Sequence, residues 1–322
     1  MMASNGSSPT PDLDVSAIII SYHSEGRIAE AVRANEEALA HLEAEIIVVD
    51  NNSADRSVEI AASAIRRGHV IANSDNVGYG IAANQGIAAA RGRTALILND
   101  DARLSPGAID LLLAALDSAP EVALVGPRIV DEEGNPMPSA RTVFPGPMEA
   151  VQRAWDVVRG VNRNNVYPTA LDDPIDVAWL LGACLLGETE TLRAVGGFNP
   201  DFFLYVEDID LCRRLHEKGH RILTVPRAEC VHTGSVSTGD AYSESVRMMR
   251  QANSRDIYYR IWYPRITRSL IHLHRAIGIR NQPWRIKYHG KKVFYDGPSL
   301  AGRRFPSALH DTENGSVAPP SD

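Results

Sequence analysis

The chain has few cysteines and no long hydrophobic run, and each shortage excludes something. Cys184, Cys212 and Cys230 are the three cysteines in 322 residues, and they form no CxxC or zinc-type spacing. A disulfide framework and a cysteine-held zinc are therefore not expected, and the thiols read as reduced and structural. The longest apolar stretch, Val177 to Gly187, falls far short of the roughly 20 residues that cross a bilayer as a helix. Met1 to Asp14 is polar and lacks the apolar centre of a secretory leader, so a cytoplasmic protein is expected. No internal repeat is visible. Hydrophobic residues make up 44%, an ordinary globular level that supports one large domain or two modest ones.

Charge is present but unevenly spread. Residues 1–246 hold 19 Lys/Arg against 35 Asp/Glu, a net of −16, whereas residues 247–304 hold 14 against 2, a net of +12. The tail from Phe305 adds −3, giving the overall −7. A basic segment this concentrated points either to an anionic partner or to a solvated helical face that offsets the acidic body. Tyr258, Tyr259, Trp262, Tyr263, Trp284 and Tyr288 are interleaved with its cations. That mixture suits peripheral contact with the inner face of the plasma membrane. A homo-oligomer interface is the competing use. Nucleic acid is not expected, because the acidic body would be repelled.

Strand and helix patterns alternate through the first 126 residues. Val15–Ser21, Glu45–Val49, His69–Ala72, Thr94–Leu98 and Val122–Val125 read as strands; Glu30–Leu42, Ser57–Arg67, Ile81–Ala90 and Pro106–Ser118 read as helices. This order predicts an α/β fold, a mostly parallel Rossmann-like sheet flanked by helices. Beyond Gly126 the pattern changes. Pro127–Pro147 reads as loop and hairpin, Val177–Gly187 as one buried strand, Glu207–Gly219 as a helix ended by its glycine, and Arg221–Val225 as a strand. Residues 1–13 and 305–322 have disorder-prone composition. The expected organisation is a domain over 14–246, split into a nucleotide-binding half (14–126) and an acceptor or catalytic half (127–246). A helical basic aromatic segment over 247–304 follows it.

Ligands of such sheets sit beyond the carboxyl ends of the strands, and polar groups gather there. Asp50, Asn51, Asn52 and Ser53 follow one strand; a carboxylate at this place can accept from a base or ribose, although these residues also make turns. Asn76-Val77-Gly78-Tyr79-Gly80 leads into a helix, where glycines and a helix N-terminus favour an anion. Gly78 to Ala83 also fits G-x-G-x-x-A, with Asp100 coming 20 residues after Gly80. That fingerprint leaves a dinucleotide-dependent oxidoreductase as an alternative. Asn99-Asp100-Asp101 ends another strand, and adjacent carboxylates call for a cation such as Mg²⁺ or Mn²⁺. Glu207-Asp208-Ile209-Asp210 puts three acids at a helix start, more than a cap needs, and one facing a cleft could take a proton. His232, before Thr233-Gly234-Ser235, could ligate a metal or touch phosphate.

Taken in order, these segments resemble family 2 glycosyltransferases of the GT-A fold, within the bacterial rhamnosyltransferase-like branch. The motifs are Val-Val-Asp-Asn-Asn-Ser, Asn-x-Gly-Tyr-Gly-x-Ala-x-Asn, Leu-Asn-x-Asp, Gly-Ala-Cys and Gly-Gly-Phe-Asn-x-x-Phe-Phe-Leu-Tyr-x-Glu-Asp-x-Asp-Leu-Cys-x-Arg, spread over residues 15–240. The resemblance implies a nucleotide-diphosphate sugar site, for a dTDP- or UDP-sugar. Its residues would be Asp50, Ser21, Tyr22, Asn52, Asn76, Gly78, Asn84, Asn99 and Asp100. It implies a divalent cation held by Asp101, a histidine near the diphosphate at His232, and catalysis by Asp208 with Glu207. Gly182, Ala183 and Cys184 would lie on the acceptor side. The implied activity is inverting transfer of a sugar, rhamnose by this branch, to a saccharide or lipid-linked acceptor in envelope or polysaccharide biosynthesis. A non-catalytic nucleotide-sugar-binding homologue is the other alternative.

Overall fold

A computed structural model describes residues 13–149, 151, 165–166, 173–233 and 244–271. The tail expected over 305–322, most of the expected N-terminal segment, and Trp284 and Tyr288 lie outside them. The described residues belong to one compact unit spanning 1–276.

Four parallel strands form the first half of the sheet: β1 (Leu13–Ser21), β2 (Ala44–Asp50), β3 (Gly68–Ala72) and β4 (Gly92–Asn99). The runs of β1, β2 and β4 are buried on both faces. Ala17 and Ile19 of β1 face one apolar cluster with Val48, Leu96 and Leu98, while Ile18 and Ile20 face a second with Ile47, Val49 and Ile97. A strand covered on both sides has no polar alternation to show. Helices α1 (Ile28–Ala38), α2 (Ser57–Ala64) and α3 (Tyr79–Ala89) connect them. On α1 the buried residues Ile28, Ala31, Val32 and Asn35 recur every three or four positions, the spacing of one helix face.

The remaining elements, in chain order, are β5 (Ala102–Leu104), α4 (Ala108–Leu116), β6 (Val122–Val130), β7 (Ala140–Arg141), β8 (Asn165–Val166), β9 (Ile175–Asp176), β10 (Trp179–Leu180), β11 (Cys184–Glu188), α5 (Thr189–Ala194), α6 (Glu207–Glu217), β12 (Arg221–His232) and α7 (Glu244–Trp262). The main sheet runs β3-β2-β1-β4-β11-β6-β12-β5, with β9 also on β12, and a small second sheet runs β10-β7-β8. β11 is antiparallel to β4 and β6. The strand order therefore steps outward from β1 to β3 and then restarts at β4 on the other side of β1. That reversal opens a crevice beyond the ends of β1 and β4.

Several boundaries differ from the sequence reading. Leu13 already pairs with Gly92 in the sheet. The run Val177–Gly187 is two short strands in different sheets, because Gly182 between them makes its hydrogen bonds to side chains instead of a strand. The strand read as Arg221–Val225 continues to His232 past an irregularity between Val225 and Glu229, and Pro226 stands inside it, where a missing N–H removes a ladder bond. β5 has no counterpart in the sequence reading, since three residues are too few to carry a pattern.

One close approach fixes α3 on the sheet. A Cβ at Gly86 would lie 2.2 Å from Ile18 Cγ2, so the helix and β1 meet at a distance only glycine permits. Gly86→Ala should destabilise the protein by about 1–3 kcal/mol, the usual cost of overpacking. A lowered midpoint in urea at constant slope is the expected result, and an unchanged midpoint would show that α3 can shift freely.

Candidate functional site

A cleft of about 780 Å³ opens at the crevice, and Tyr22, Asn76, Gly78, Asn99, Asp100, Asp101, Gly182, Ala183, Glu207, Asp208 and His232 all reach its wall. Residues nominated from distant parts of the sequence thus meet in one space. The last residue of β4 and the segments after β1, β3 and β4 supply the first six, the β10–β11 turn supplies the next two, α6 supplies the acids, and the end of β12 supplies His232.

The two acids at the start of α6 are buried, with Glu207 6% and Asp208 9% exposed. The Asp208 carboxylate accepts from the Gly182 N–H at 2.9 Å and from the Ile209 N–H at 2.8 Å. Burial outweighs these bonds and raises its pKa from 3.8 to about 6. Glu207 is pushed well above the usual carboxylate range by burial and then by the Asp208 charge, and its Oε2 has no hydrogen-bond partner. Burial and the neighbouring charge thus favour the proton-bound form of Glu207, and Asp208 is the member of the pair that ionises more readily. Asp210 points the other way. It is fully buried and accepts from Arg214 Nε at 2.7 Å and from Trp262 Nε1 at 2.9 Å, which makes it a structural anchor between α6 and α7.

The Asn99–Asp101 cluster divides its work. Asp100 accepts from the Ser24 hydroxyl, from Arg27 at 3.2 Å and from the Tyr22 N–H at 3.4 Å. An arginine thus offsets the charge that the sequence assigned to a cation. Asp101 is different. Both its oxygens are buried without a hydrogen-bond partner, and His232 Nε2 stands 3.1 Å from Oδ1. Asn99 Nδ2 is also 3.1 Å from that nitrogen. Nε2 cannot accept from the amide and donate to the carboxylate at once. A cation shared by Asp101 and His232 resolves the conflict, as does a turned Asn99 amide with Nε2 protonated. The donor set of carboxylate oxygen and imidazole suits Mn²⁺, or Mg²⁺ through the carboxylate, with substrate phosphates and water completing the shell. Among the described residues no group of three or more His, Cys, Asp and Glu gathers as a cation site, so the substrate would have to contribute.

Other nominated residues lie behind the wall. Asp50 is 1% exposed and accepts from Ser21 Oγ, Ser53 N and Ser53 Oγ at 3.0, 2.8 and 2.6 Å. Ser21 is buried with it. Asn52 is exposed at a positive φ of 64° and is not on the wall; its neighbour Asn51 is, with Nδ2 3.3 Å from the Gly78 carbonyl. Asn84 brackets Phe198, donating to its carbonyl and accepting from its N–H, both at 2.7 Å. Cys184 is buried in β11. Residues not nominated also line the cleft, among them Tyr79, Trp179, Arg141 and, from α7, Arg255 and Tyr259. Tyr79 stands inside a quoted motif, but the glycines beside it carry that motif's signal. Arg255 and Tyr259 sit in the basic segment, where no motif marks the side that turns inward.

The residues around the glycine loop also answer the dinucleotide alternative. β3 ends at Ala72, well before Gly78, and a Cβ at Gly80 would lie 3.0 Å from Phe198 Cβ. Gly80 serves helix packing, and Asp100 is engaged by Arg27.

Residues 16–179 match the profile of Glycosyl transferase family 2, and the chain belongs to that family. Within it the chain falls in the rhamnosyltransferase-like branch. It is 30% identical over 247 residues to the N-acetylglucosaminyl-diphospho-decaprenol L-rhamnosyltransferase of Mycobacterium tuberculosis, covering 70% of this chain and 78% of the relative. It is also 30% identical over 88 residues to Rhamnosyltransferase WbbL of Escherichia coli, 27% of this chain and 33% of that one. In fold it is similar to GalNAc-T7, a structure solved with UDP, GalNAc and Mn²⁺: TM-score 0.52, 17% identity, over 68% of this chain and 43% of that one. The architecture is GT-A. The protein is a glycosyltransferase, and the dinucleotide-dependent alternative falls.

Calorimetry of UDP or dTDP with Mn²⁺, Mg²⁺ or EDTA tests the Asp101–His232 pair. Affinity should depend on the metal, Asp101→Ala should remove most of that dependence, and Asp100→Ala should remove less. Equal affinity in EDTA would take the cation out of the account.

Proposed function

We propose that this protein is a metal-dependent, inverting glycosyltransferase that carries rhamnose from a nucleotide diphosphate, a dTDP- or UDP-sugar, to a hydroxyl of a saccharide or lipid-linked acceptor. The observation that carries the reading is Asp208. It is a buried carboxylate at the cleft wall, held by two backbone N–H groups, with its pKa raised by burial to about 6. In the proposed reaction Asp208 takes the proton of the acceptor hydroxyl. The oxygen bonds to the anomeric carbon from the face opposite the diphosphate, the bond from that carbon to the diphosphate oxygen breaks, and configuration inverts. Glu207, kept neutral beside it, can donate a hydrogen bond to a sugar oxygen. Asp101 and His232 would hold the cation, which when bound offsets the charge of the leaving diphosphate. Rhamnose and a lipid-linked acceptor are taken from the names of the relatives. Asp50 and Ser21 are buried behind the wall and Asn52 lies off it, so they would shape the nucleotide site from behind rather than line it.

A proton acceptor with a pKa of about 6 is ionised above that pH and lost below it. The acidic limb of kcat should therefore be centred near pH 6. Asp208→Asn should lower transfer by roughly 10²–10⁴-fold, the scale of general-base catalysis, with little change in donor affinity. If Asp208→Asn turns over normally while Glu207→Gln is dead, the base is Glu207.

Membrane contact through the basic segment takes a changed form. Tyr258 and Tyr259 are buried and Trp262 and Tyr263 half-buried against the body, so these four rings are core rather than interface anchors. Among the described residues, the exposed large hydrophobics are Met148, Val151, Met248, Met249, Ile261, Ile266 and Leu270. They fall beside the cleft residue Pro147 or among the arginines of α7 and of the helical residues 265–271 that follow it, and Leu270 itself lines the cleft. That grouping supports an apolar and cationic rim seated on an anionic leaflet, each arginine contributing about 1 kcal/mol. No helix among the described residues is long and apolar enough to cross a membrane. Sedimentation with vesicles containing anionic lipid should show binding at low salt that weakens at high salt. No binding at low salt would leave the segment to self-association.

A further inference from the structure

Gly182 has no side chain, yet both its backbone groups are tied down. Its N–H donates to Asp208 Oδ2 at 2.9 Å, and its carbonyl accepts from the Tyr79 hydroxyl at 2.7 Å. Leu181 N–H is held by the Ser139 carbonyl at 2.8 Å, and the Ala183 carbonyl accepts from the Asn99 N–H at 3.1 Å. The two torsions of Gly182 are the softest point in this turn, and the Tyr79 hydroxyl is the restraint on their far side. Tyr79 itself is fixed. Its ring meets Phe198 edge-on with centroids 6.0 Å apart, and its N–H donates to the Phe203 carbonyl at 2.9 Å. It opens α3, directly after the cleft residue Gly78.

We propose that the Tyr79 hydroxyl is a positioning group that locks the Gly182 backbone so that its N–H stays on the Asp208 carboxylate, tying the donor-side loop to the proton acceptor. The proposal rests on Asp208 being that acceptor. Without the hydroxyl, the 182–183 peptide loses its restraint, and the Gly182 torsions that join it to the 181–182 peptide are freer to change, which loosens the Gly182 N–H on the ionised carboxylate. Loss of a donor to a charged group favours the protonated form. The other titratable groups around Asp208 are Glu207, Asp210 and Cys212 on its own helix and Tyr79 from α3. Asp100 and Asp101 face the cleft from the end of β4, His232 from the end of β12, Arg141 and Glu149 from β7 and the segment after it, and Arg255 and Tyr259 from α7. Burial favours the proton-bound forms of Glu207, Cys212 and Tyr79, and Tyr79→Phe adds or removes no charge.

The test is the pH dependence of kcat for wild type, Tyr79→Phe, Gly182→Ala and the double variant, with Asp208→Asn as reference. Tyr79→Phe keeps the ring and its packing. Its acidic limb should move up by about half to one pH unit, within what a hydrogen bond to a charged group supplies. Activity near pH 6 should fall several-fold and recover on the alkaline side. Gly182→Ala, whose Cβ would stand 3.3 Å from Asp208 Cβ, disturbs the same contact from the other end. The double variant should then shift no further than the larger single one. A limb that stays in place in Tyr79→Phe, a uniform loss at all pH values, or additive shifts would each overturn the proposal. If Asp208→Asn is fully active, the base assignment fails and this role falls with it. If Asp208→Asn is dead while Tyr79→Phe leaves the limb unmoved, only the Tyr79 role is lost.

Discussion

Three acids are forced out of water at the start of α6, and the cleft depends on how each is accommodated. Burying a carboxylate without compensation costs several kcal/mol. Asp210 is matched by Arg214, whose other nitrogens are taken by the carbonyls of Val195 and Gly197. Asp208 receives two backbone N–H groups and the positive end of the helix. Glu207 has an oxygen with no partner, and burial pushes it toward its proton-bound form, which lowers the cost. Three neighbours in sequence thus reach three electrostatic solutions, and only the middle one leaves a charged, partly satisfied oxygen pair at the cleft.

The backbone ahead of α6 is distorted to make this possible. Tyr205 and Val206 both have positive φ, at 69° and 73°. A β-branched residue in that region is an outlier that costs about 1–3 kcal/mol. Packing offsets it: Val206 is buried with Phe202, Ile209, Tyr258 and Tyr259. The last two come from α7, so the C-terminal segment helps hold the helix that carries Asp208. Arg213 continues the same contact, with its guanidinium 4.4 Å from the Trp262 ring centre and hydrogen bonds to Tyr258 and Tyr263 at 2.9 and 3.1 Å.

That role of α7 marks the limit of what the sequence made legible. The parallel half of the sheet could be read because runs such as Ala17 to Ile20 of β1 and Ala95 to Leu98 of β4 are buried on both faces and end in polar residues at the crevice. The motif residues could be read because their types are chemically odd at strand and helix ends. The basic segment could not be resolved in the same way. Its rings Tyr258, Tyr259, Trp262 and Tyr263 suit a membrane interface and a packed helix equally well, and only the position of Arg213 and Asp210 on the neighbouring helix decides for packing at these four. The broken strand at Gly182 was hidden for a related reason: its apolar run is real, but its hydrogen bonds go to residues 26 and 103 positions away.

The adjacent carboxylates Asp100 and Asp101 show how topology separates residues that composition treats alike. At the end of a strand successive side chains turn to opposite sides. Asp100 turns toward the end of β1, where Ser24 and Arg27 of the following loop meet it. Asp101 turns toward the end of β12, which approaches because β5 pairs with it and sets His232 opposite Ala102. One carboxylate is therefore closed by the chain that follows β1, and the other keeps two oxygens without hydrogen-bond partners beside an imidazole. The short strand β5, invisible as a pattern, is what separates a salt bridge from a pair of groups suited to a cation.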